Sequence, residues 1–359
     1  MMRRFFAQLC AATQTQANKA RAAEGHIFGS VNRELTAVKE HIHSLVTNTN
    51  NEVLDHASKY VLAAGGKMMR PALVILMAHA MLPPAVSARL LEEPIGSLDE
   101  VTPGTILPFL RLAEVTELIH TASLVHDDVI DNSDMRRRCL ALHKVYDAKR
   151  AVLAGDYMLA RASFYIATLQ VPRIVILMTT ALEELTSGEL IQMDGCFDIP
   201  RYEQKSFCKT ASLISNSLAS TAVLVDPGNE ALEQAAFDFG RHLGIAFQIA
   251  DDCLDITGDE KTLGKPKLAD MKEGIATMPV LLVARRNTKV NEMVRRFFTE
   301  PGDVEYCLEE IEKEGAVAEA MHRADEHCQL GMKSLHKLHH SPARDTLERA
   351  LSMVMSRTS

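Results

Sequence analysis

The stretch LAEVTELIHTASLVHDDVID, residues 112–131, predicts a helix with two unlike surfaces. Residues three and four positions apart share one face of a helix, and steps of that size join the polar side chains here. The members of this polar stripe are Thr116, His120, Ser123, Asp127 and Asp131. A polar stripe is usually the solvated side of a helix. Apolar residues occupy the other surfaces, however, so we expect a buried helix whose stripe lines a cavity.

A second stretch, FGRHLGIAFQIADDCLDITGD at residues 239–259, repeats this arrangement. The residues at helical spacing are Gly244, Gln248, Asp251 and Asp255, with Asp252 beside them. Both stretches contain the motif Asp-Asp-x-x-Asp, which the first stretch forms from Asp127, Asp128 and Asp131. One such motif arises easily by chance. Two copies on two apolar helices indicate a site.

Two acidic clusters facing each other in a cavity of low dielectric would repel strongly, so a cation must neutralise them. Magnesium is the natural candidate, because it prefers oxygen ligands and binds through one or two carboxylates together with substrate phosphates. Calcium fits less well, since neither motif resembles the twelve-residue EF-hand loop. The alternative interpretation is a solvated helix end that binds no metal.

Basic residues that could bind phosphate stand close to these motifs. In AAGGKMMRP, Lys67 and Arg70 follow a double-glycine turn near a predicted helix start, where backbone N–H groups also favour anions. Arg136 and Arg137 follow the first acidic motif, and their forked guanidinium groups can bind a diphosphate. Each pair taken alone is more often an ordinary surface feature, so the hypothesis rests on their combination.

Four further residues belong to the same hypothesis. Lys209 precedes Thr210, and Lys265 follows the second acidic motif. Both lysines are individually more often surface residues. His120 alone is more often a satisfied core histidine than a ligand, but its place on the polar stripe, one turn from Ser123, favours a role in the site.

The composition limits the possible classes of function. The chain has 359 residues, 47% of them hydrophobic, so it can bury a large core. Its net charge of -8 argues against nucleic acid as a partner. Seven cysteines occur without a CxxC pair, which indicates reduced intracellular thiols and neither a disulfide framework nor a zinc site. No run reaches the ~18 apolar residues that a membrane span needs.

The first residues differ in composition from the remainder of the chain. Residues 1–24 hold two arginines near the start, Arg3 and Arg4, and no acid before Glu24. A basic, acid-poor and amphipathic segment is typical of a mitochondrial presequence, so we expect residues 1–24 to be one. The alternative is an ordinary disordered N-terminus.

From about residue 27 the spacing of apolar residues predicts helices almost throughout. Several prolines in residues 83–108 indicate a loop or insertion. Because no linker separates two self-sufficient halves, the sequence predicts a single all-α domain over residues 25–359. The predicted helical segments cover approximately residues 52–64, 70–82, 109–131, 150–195, 205–225, 229–256, 276–298 and 303–356.

Taken together in chain order, these motifs resemble those of the trans-prenyltransferases, the polyprenyl diphosphate synthases of head-to-tail chain elongation. The resemblance covers roughly residues 30–355, and the matching stretches are GGKMMRP, DDVIDNSDMRR, LAGDYMLARAS, GELIQM, KTASLI, GIAFQIADDCLD and LGKPKLADMKEGIATMP. It implies a large all-α bundle of the isoprenoid synthase type with a central buried cavity. The sequence looks most like the mitochondrial long-chain solanesyl and decaprenyl diphosphate synthases.

The resemblance also implies roles for individual residues. Those that would hold isopentenyl diphosphate are Lys67, Arg70, His120 and Arg137. Those that would bind the allylic diphosphate and stabilise the charge that develops as it leaves are Arg136, Lys209, Thr210, Gln248 and Lys265. The ligands of two or three Mg²⁺ ions would be Asp127, Asp131 and Asp251, supported by Asp128, Asp252 and Asp255. The catalytic set would be Asp127, Asp128, Asp131, Asp251, Lys209 and Gln248.

The implied reaction begins when the diphosphate group leaves the allylic substrate. Magnesium and the basic groups stabilise this diphosphate, and an allylic cation remains. The alkene of isopentenyl diphosphate then attacks the allylic cation, and a proton is lost. A buried cavity would protect the cation from water. No side chain stands out as the base, and in this family the released diphosphate is the usual candidate. Two positions depart from the family pattern: Arg138 stands where glycine is frequent, and Ile275 where a basic residue is frequent.

The resemblance also bears on the length of the product. In this family the growing tail runs along the helix of the first motif, and large aromatic residues four or five positions before the motif block it. Here Ala122 and Ser123 occupy those positions, Ile119 lies one turn further away, and no Phe or Tyr occurs from Leu110 to Val145. The resemblance therefore implies a product of about C40–C50. With the presequence, that product suggests the side chain of ubiquinone.

Several alternatives stay open at this point. A non-catalytic or partner-dependent subunit of a heteromeric synthase would be expected to lose one aspartate motif, whereas both are complete. A short-chain farnesyl or geranylgeranyl diphosphate synthase would keep both. A terpene cyclase would not be expected to keep Lys67, Arg70 and the second full motif. A structural helical protein would bind no substrate. For the synthase, the resemblance implies at least a homodimer and a product delivered to a membrane.

Overall fold

The computed structural model describes residues 27–47, 49–137, 139–258 and 267–356. The predicted presequence, Arg138 and Lys265 lie outside these ranges. Within them no helix combines the length and the apolar character that crossing a membrane requires. The chain forms two compact units, which divide between Val175 and Ile176.

The regular structure of the first unit, in the residues described, is helical apart from one short hairpin. Its helices are α1 (Asn32–Leu45), α2 (Glu52–Ala63), α3 (Met69–Met81), α4 (Pro84–Glu92), α5 (Leu107–Ile130), α6 (Leu142–Val145) and α7 (Ala148–Thr168). A 3-10 turn at Gly29–Val31 precedes α1. The antiparallel strands are β1 (Met135–Arg136) and β2 (Cys139–Leu140).

The second unit begins within α8 (Pro172–Asp194) and is again helical. Its other elements are α9 (Ile199–Ser206), a π-helix (Phe207–Ala211), α10 (Ser212–Val225), α11 (Glu230–Thr257), α12 (Ala269–Lys272), α13 (Met278–Ala284), α14 (Thr288–Arg295), α15 (Asp303–Glu314), α16 (Ala316–Leu335) and α17 (Pro342–Ser356). The predicted all-α class is confirmed, although several segments predicted as one helix are divided. Gly315 in the left-handed conformation, for example, separates α15 from α16.

The prediction of a loop across residues 83–108 is wrong for its first part, which forms α4. Pro83 caps this helix and Pro84 occupies its first turn, where a missing N–H costs no hydrogen bond. Leu90 is buried and holds the helix against the unit. Residues 93–106 are irregular, as the prolines and glycines indicated.

The prediction that the helix of the first motif is buried is confirmed. In α5 the side chains of Leu112, Val115 and Leu118 have no exposed surface, and the helix packs against α1, α3 and α7. Burial of apolar area on this scale contributes about 25 cal/mol per Å². The first motif therefore lies at the end of a helix that the core holds in place.

The expectation of apolar surfaces around the polar stripe is incomplete, because α5 also buries charges. Arg111 and Glu114 lie inside the core, and an Arg111 nitrogen lies 2.9 Å from a Glu114 oxygen. The other Glu114 oxygen is 2.7 Å from His41 Nδ1 on α1. Buried charges are tolerated when they are paired and hydrogen-bonded in this way.

Two glycines of α11 allow the preceding helix to approach closely. A Cβ atom added at Gly240 would lie 2.7 Å from Ser215 Cα, and one added at Gly244 would lie 2.4 Å from Ala211 Cα. Only residues without a side chain permit such a backbone approach. The close contact brings the π-helix alongside α11, where the second acidic motif begins.

Candidate active site

The three acids of the first motif have different environments. Asp127 is half-buried, Asp128 is buried and Asp131 is exposed at the end of α5. Asp128 Oδ1 accepts a hydrogen bond from Arg136 Nε at 2.8 Å and lies 2.5 Å from Arg136 Nη2. Asp128 therefore ties the hairpin that carries the arginine pair to the helix that carries the motif.

Arg137 turns back toward the double-glycine stretch. Its backbone is left-handed, with φ of 51°. A Cβ atom added at Gly66 would lie only 2.8 Å from Arg137 Nη1. The absence of a side chain at Gly66 thus leaves room for the guanidinium group, and two separate motifs of the sequence meet at this point.

Arg70 and His120 also come together in the first unit. Arg70 Nη1 lies 3.0 Å from His120 Nε2. Burial and the nearby charges of Arg70 and Arg137 hold the pKa of His120 well below its ordinary value. The imidazole is therefore neutral at pH 7, and its Nε2 accepts the hydrogen bond that Arg70 donates.

Glu117 is the residue of this group that the sequence reasoning missed. It is buried on α5, where burial raises its pKa and the charges of Arg70 and Arg137 oppose that rise. An acid between two guanidinium groups limits their mutual repulsion. The only signal in the sequence was its position three residues before His120, on a helix predicted to be buried.

Lys67 lies at the surface beside this group, in the turn that leads into α3. Gly65 and Met68 in that turn have positive φ values of 72° and 50°. A left-handed methionine is uncommon, and strained residues of this kind concentrate at functional sites. The turn places Lys67 and Arg70 around the start of α3.

A small cavity of about 30 Å³ opens beside the first motif, between α2, α5 and the hairpin. Its wall along α5 is formed by Thr121, Leu124, Val125 and Asp128. Arg136 and Arg137 contribute the charged part of the lining. Apolar surface and cations thus meet directly at the first acidic motif.

The residues expected to influence product length differ in accessibility. Ala122 and Ile119 have no exposed surface, whereas Ser123 is half-buried. The hydroxyl of Ser123 donates a hydrogen bond of 2.9 Å to the carbonyl of His120 in its own helix. Among the three, Ser123 is the position where a larger side chain would displace the least packed core.

In the second unit, the π-helix carries Lys209 and Thr210. A π-turn contains one residue more than an α-turn and is frequent at functional sites. Lys209 Nζ lies 2.7 Å from an oxygen of Glu189 on α8, and Thr210 Oγ1 donates to Gln248 Oε1 at 2.8 Å. A Cβ atom at Gly188 would lie 2.8 Å from the backbone nitrogen of Lys209, so α8 packs directly against this turn.

The second acidic motif resembles the first in its first two acids and differs in the third, which is buried. Asp251 is half-buried, whereas Asp252 and Asp255 are buried. An Asp255 oxygen accepts a hydrogen bond of 3.3 Å from the backbone N–H of Asp270, at the start of α12. Asp252 accepts from the Tyr202 hydroxyl at 2.6 Å and from Gln248 Nε2 at 2.9 Å. The buried acids Asp252 and Asp255 therefore bind neighbouring segments of the chain to the helix that carries Asp251.

The model of the polyprenyl synthetase family matches residues 51–311, across all these motifs from the helix before the double-glycine turn onward. The chain belongs to the polyprenyl synthetase family.

Relatives and solved structures in the family match nearly the whole chain. The decaprenyl-diphosphate synthase subunit 1 of Schizosaccharomyces pombe is 36% identical over 344 residues, which cover 91% of this chain and 90% of that protein. The chloroplastic solanesyl diphosphate synthase 1 of Arabidopsis thaliana is 36% identical over 326 residues, which cover 90% of this chain and 76% of that protein. As a polyprenyl synthetase, the chain is a prenyltransferase.

One solved polyprenyl synthase carries ligands. The crystal structure of the Caulobacter crescentus enzyme, complexed with calcium and isoprenyl diphosphate, has a TM-score of 0.78 and 26% identity, covering 93% of this chain and 99% of that one. The isoprenoid synthase type of fold is therefore confirmed for this family member.

The acidic residues of this polyprenyl synthetase fit the metal expected for the family. In the described ranges, no three His, Cys, Asp or Glu side chains gather into a preformed metal site. Mg²⁺ needs no such cluster, because it usually binds one or two carboxylates and completes its shell with water and substrate phosphate. Asp127, Asp131 and Asp251 offer carboxylate oxygens of this kind at the ends of two helices.

Proposed function

We propose that the chain is a long-chain trans-polyprenyl diphosphate synthase, which adds isopentenyl diphosphate head-to-tail to an allylic diphosphate and makes a product of about C40–C50. The observation that carries this proposal is the group formed by Arg70, His120 and Arg137 beside the first acidic motif. Guanidinium groups and a neutral imidazole next to half-buried carboxylates suit a diphosphate with its metal ion.

Each residue group has a distinct part in the proposed mechanism. Arg70 and Arg137 bind the diphosphate of isopentenyl diphosphate and orient its alkene. Lys209 and Thr210 bind the allylic diphosphate, and Lys209 stabilises the negative charge that the leaving diphosphate acquires. Asp127 and Asp131 in the first unit and Asp251 in the second would each bind Mg²⁺, which would neutralise diphosphate charge when bound. The carbon–oxygen bond to the allylic diphosphate breaks, the alkene attacks the allylic carbon to form the new carbon–carbon bond, and the released diphosphate takes up the proton whose loss restores a double bond.

A chain-length assay tests this function. We expect protein lacking residues 1–24, supplied with farnesyl diphosphate, radiolabelled isopentenyl diphosphate and Mg²⁺, to yield a ladder of products ending near C45. Products that stop at C15 or C20 would contradict the long-chain assignment. The Schizosaccharomyces pombe relative is named a subunit, so absence of product would favour a partner-dependent subunit, and the assay would then be repeated with the partner.

Ser123→Phe should shorten the product by several isoprene units. Ser123 is half-buried four residues before Asp127, and its hydroxyl bonds only to its own helix in the described contacts. Phenylalanine would block an apolar tail that passes this position. The same change at the fully buried Ala122 would add an overpacking cost of about 1–3 kcal/mol. A loss of stability could then not be separated from an effect on product length. Mass spectrometry of the dephosphorylated products measures the shift.

Leu124→Phe is the matched control for that change. Leu124 is the next residue on α5, about 100° further around the helix axis, and it faces the small cavity with Arg136 and Arg137. The control variant should keep the product length of the unmodified enzyme. Equal shortening by both variants would show that the tail does not follow the polar stripe.

The chain forms a homodimer through the outer face of α7. Leu153 and Phe164 are 60% and 57% exposed, and their separation of eleven residues places them on one helix face. Large apolar side chains left together on a surface mark interaction sites. Leu153→Glu should turn the dimer into a monomer in light scattering after gel filtration, whereas Leu330→Glu on α16 should not. A dimeric Leu153→Glu protein would refute this interface.

The proposed location is the mitochondrion, where the product would supply the side chain of ubiquinone. The basic composition of residues 1–24 supports this location, although the Arabidopsis relative is named chloroplastic. Import of the full chain into isolated mitochondria, followed by sequencing of the new N-terminus, tests it. A chain that stays outside and uncut would overturn the proposal.

A further inference from the structure

Asp252, the second acid of the second motif, uses both of its oxygens inside the protein. Oδ1 accepts a hydrogen bond of 2.9 Å from Gln248 Nε2. Oδ2 accepts from the Tyr202 hydroxyl at 2.6 Å and from the backbone N–H of Met278 at 3.1 Å. Only 2% of the residue is exposed. A carboxylate with three donors and almost no accessible surface has little capacity left for a metal ion.

These bonds determine which way the amide of Gln248 points. Gln248 donates to Asp252 through Nε2, so the amide turns its NH₂ group toward the carboxylate. Its oxygen then faces Thr210, whose hydroxyl donates to it at 2.8 Å. A directional series of hydrogen bonds thus runs from Tyr202 through Asp252 and Gln248 to the π-helix.

The surroundings keep Tyr202, at one end of this series, protonated. Tyr202 has no exposed surface, and burial together with the charge of Asp252 holds the pKa of its hydroxyl well above its ordinary value. The hydroxyl therefore remains a donor. Lys205 is buried too, with its nitrogen 4.9 Å from the centre of the Tyr202 ring. Burial raises the pKa of Asp252, and the charge of Lys205 and the hydrogen bonds to the carboxylate oppose that rise.

We propose that Asp252 and Tyr202 are positioning residues, which orient the amide of Gln248 and through it Thr210, and that Asp252 is not a metal ligand. The inference rests on the proposed prenyl transfer. The negative end of the Gln248 amide dipole is fixed toward Thr210 and its neighbour Lys209. In the proposed reaction, the allylic carbon becomes positive at this position. A fixed dipole needs no reorganisation when that charge develops.

The same contact links the amide to the last family motif. Met278 is the first residue of α13, and its N–H is one of the donors that a helix start leaves without an intrahelical partner. Asp252 supplies that partner. The carboxylate therefore fixes the start of α13, the ring of Tyr202 and the Gln248 amide in one arrangement.

Kinetics and ligand binding of Tyr202→Phe and Asp252→Asn test the inference. We expect kcat to fall about 10-fold for Tyr202→Phe and about 100-fold for Asp252→Asn, with KM for both substrates within about threefold of the unmodified value, since loss of a supporting hydrogen bond typically costs 10–100-fold. Tyr306→Phe, a change of the same kind on α15, should leave kcat unaltered. A wild-type kcat for Tyr202→Phe would overturn the positioning role.

Calorimetric binding of inorganic diphosphate in the presence of Mg²⁺ supplies a readout that does not depend on turnover. Asp252→Asn should bind like the unmodified protein, whereas Asp251→Asn should bind at least 10-fold more weakly, as for loss of a ligand. Equal weakening by both variants would make Asp252 a metal ligand and overturn the inference. If the unmodified protein showed no prenyl transfer, that result would overturn the proposed function. The binding comparison would still decide the role of Asp252.

Discussion

Asp127→Asn should lower kcat by about 1,000-fold if Asp127 is the metal ligand that we propose, because a neutral amide cannot replace a carboxylate that holds Mg²⁺ against the leaving diphosphate. The structure makes this position the sharpest test within the first motif. Asp127 is half-buried, while Asp128 is bound to Arg136 and Asp131 is exposed. Steady-state kinetics across a range of Mg²⁺ concentrations should show an increased requirement for the metal as well as the fall in kcat.

Asp134→Asn is the control for this experiment. Asp134 lies just before the hairpin, 81% of its side chain is exposed, and it pairs with Lys144 at 2.9 Å. Exposed pairs contribute little to stability, so the control should stay folded and keep its kcat. An Asp127→Asn enzyme within tenfold of the unmodified kcat would remove Asp127 from the proposed metal ligands.

Gly244→Ala should destabilise the protein by about 2 kcal/mol and also reduce activity. The added Cβ atom would lie 2.4 Å from Ala211 Cα and 2.5 Å from Ala211 Cβ, so backbone must move. Overpacking of this kind costs about 1–3 kcal/mol or more, against a gain of about 1 kcal/mol in helix propensity. Since Ala211 directly follows Thr210, we expect the movement to disturb the bond to Gln248. Urea denaturation and kcat measure the two effects.

Gly96→Ala provides a comparison in which the added methyl group meets little resistance. The nearest atom to a Cβ at Gly96 is 3.9 Å away, at the end of the Leu107 side chain. This variant should change the unfolding free energy by less than about 0.5 kcal/mol, as is usual for surface substitutions. A Gly244→Ala protein as stable as this control would show that the π-helix and α11 can separate without cost.

Helical periodicity was sufficient to predict the framework of the site. Both motif helices, α5 and α11, follow from apolar spacing, because a helix repeats its faces every three to four residues whatever it packs against. The meeting of Thr210 with Gln248 belongs to the second unit and was suggested by the resemblance alone. The start of α4 was missed because two prolines were read only as breakers, although proline is favoured in a first helical turn.

The supporting residues could not be predicted, and the reason is physical. Tyr202 lies 50 positions before Asp252 in the chain, and Glu117 lies 47 positions after Arg70, so no local spacing relates the partners. Tyr202 and Glu117 act on their partners because they are buried next to a charged group, and that placement depends on the tertiary arrangement. Both acidic motifs nevertheless show the same division, with a more exposed first acid and a buried second acid that anchors a neighbouring segment.

The π-helix at Phe207–Ala211 has a consequence for how this chain tolerates insertions and deletions. Removing one residue there would restore regular α-helical geometry, which is locally more favourable, and the two flanks would stay nearly in register while the residues inside the turn change direction. Lys209 and Thr210 would then leave the surface that faces Glu189 and Gln248. Most single-codon deletions harm proteins by breaking regular structure. Here a deletion would make the helix regular and inactivate the enzyme. Laboratory evolution that selects for stability alone should therefore accumulate inactive variants with changes in this segment.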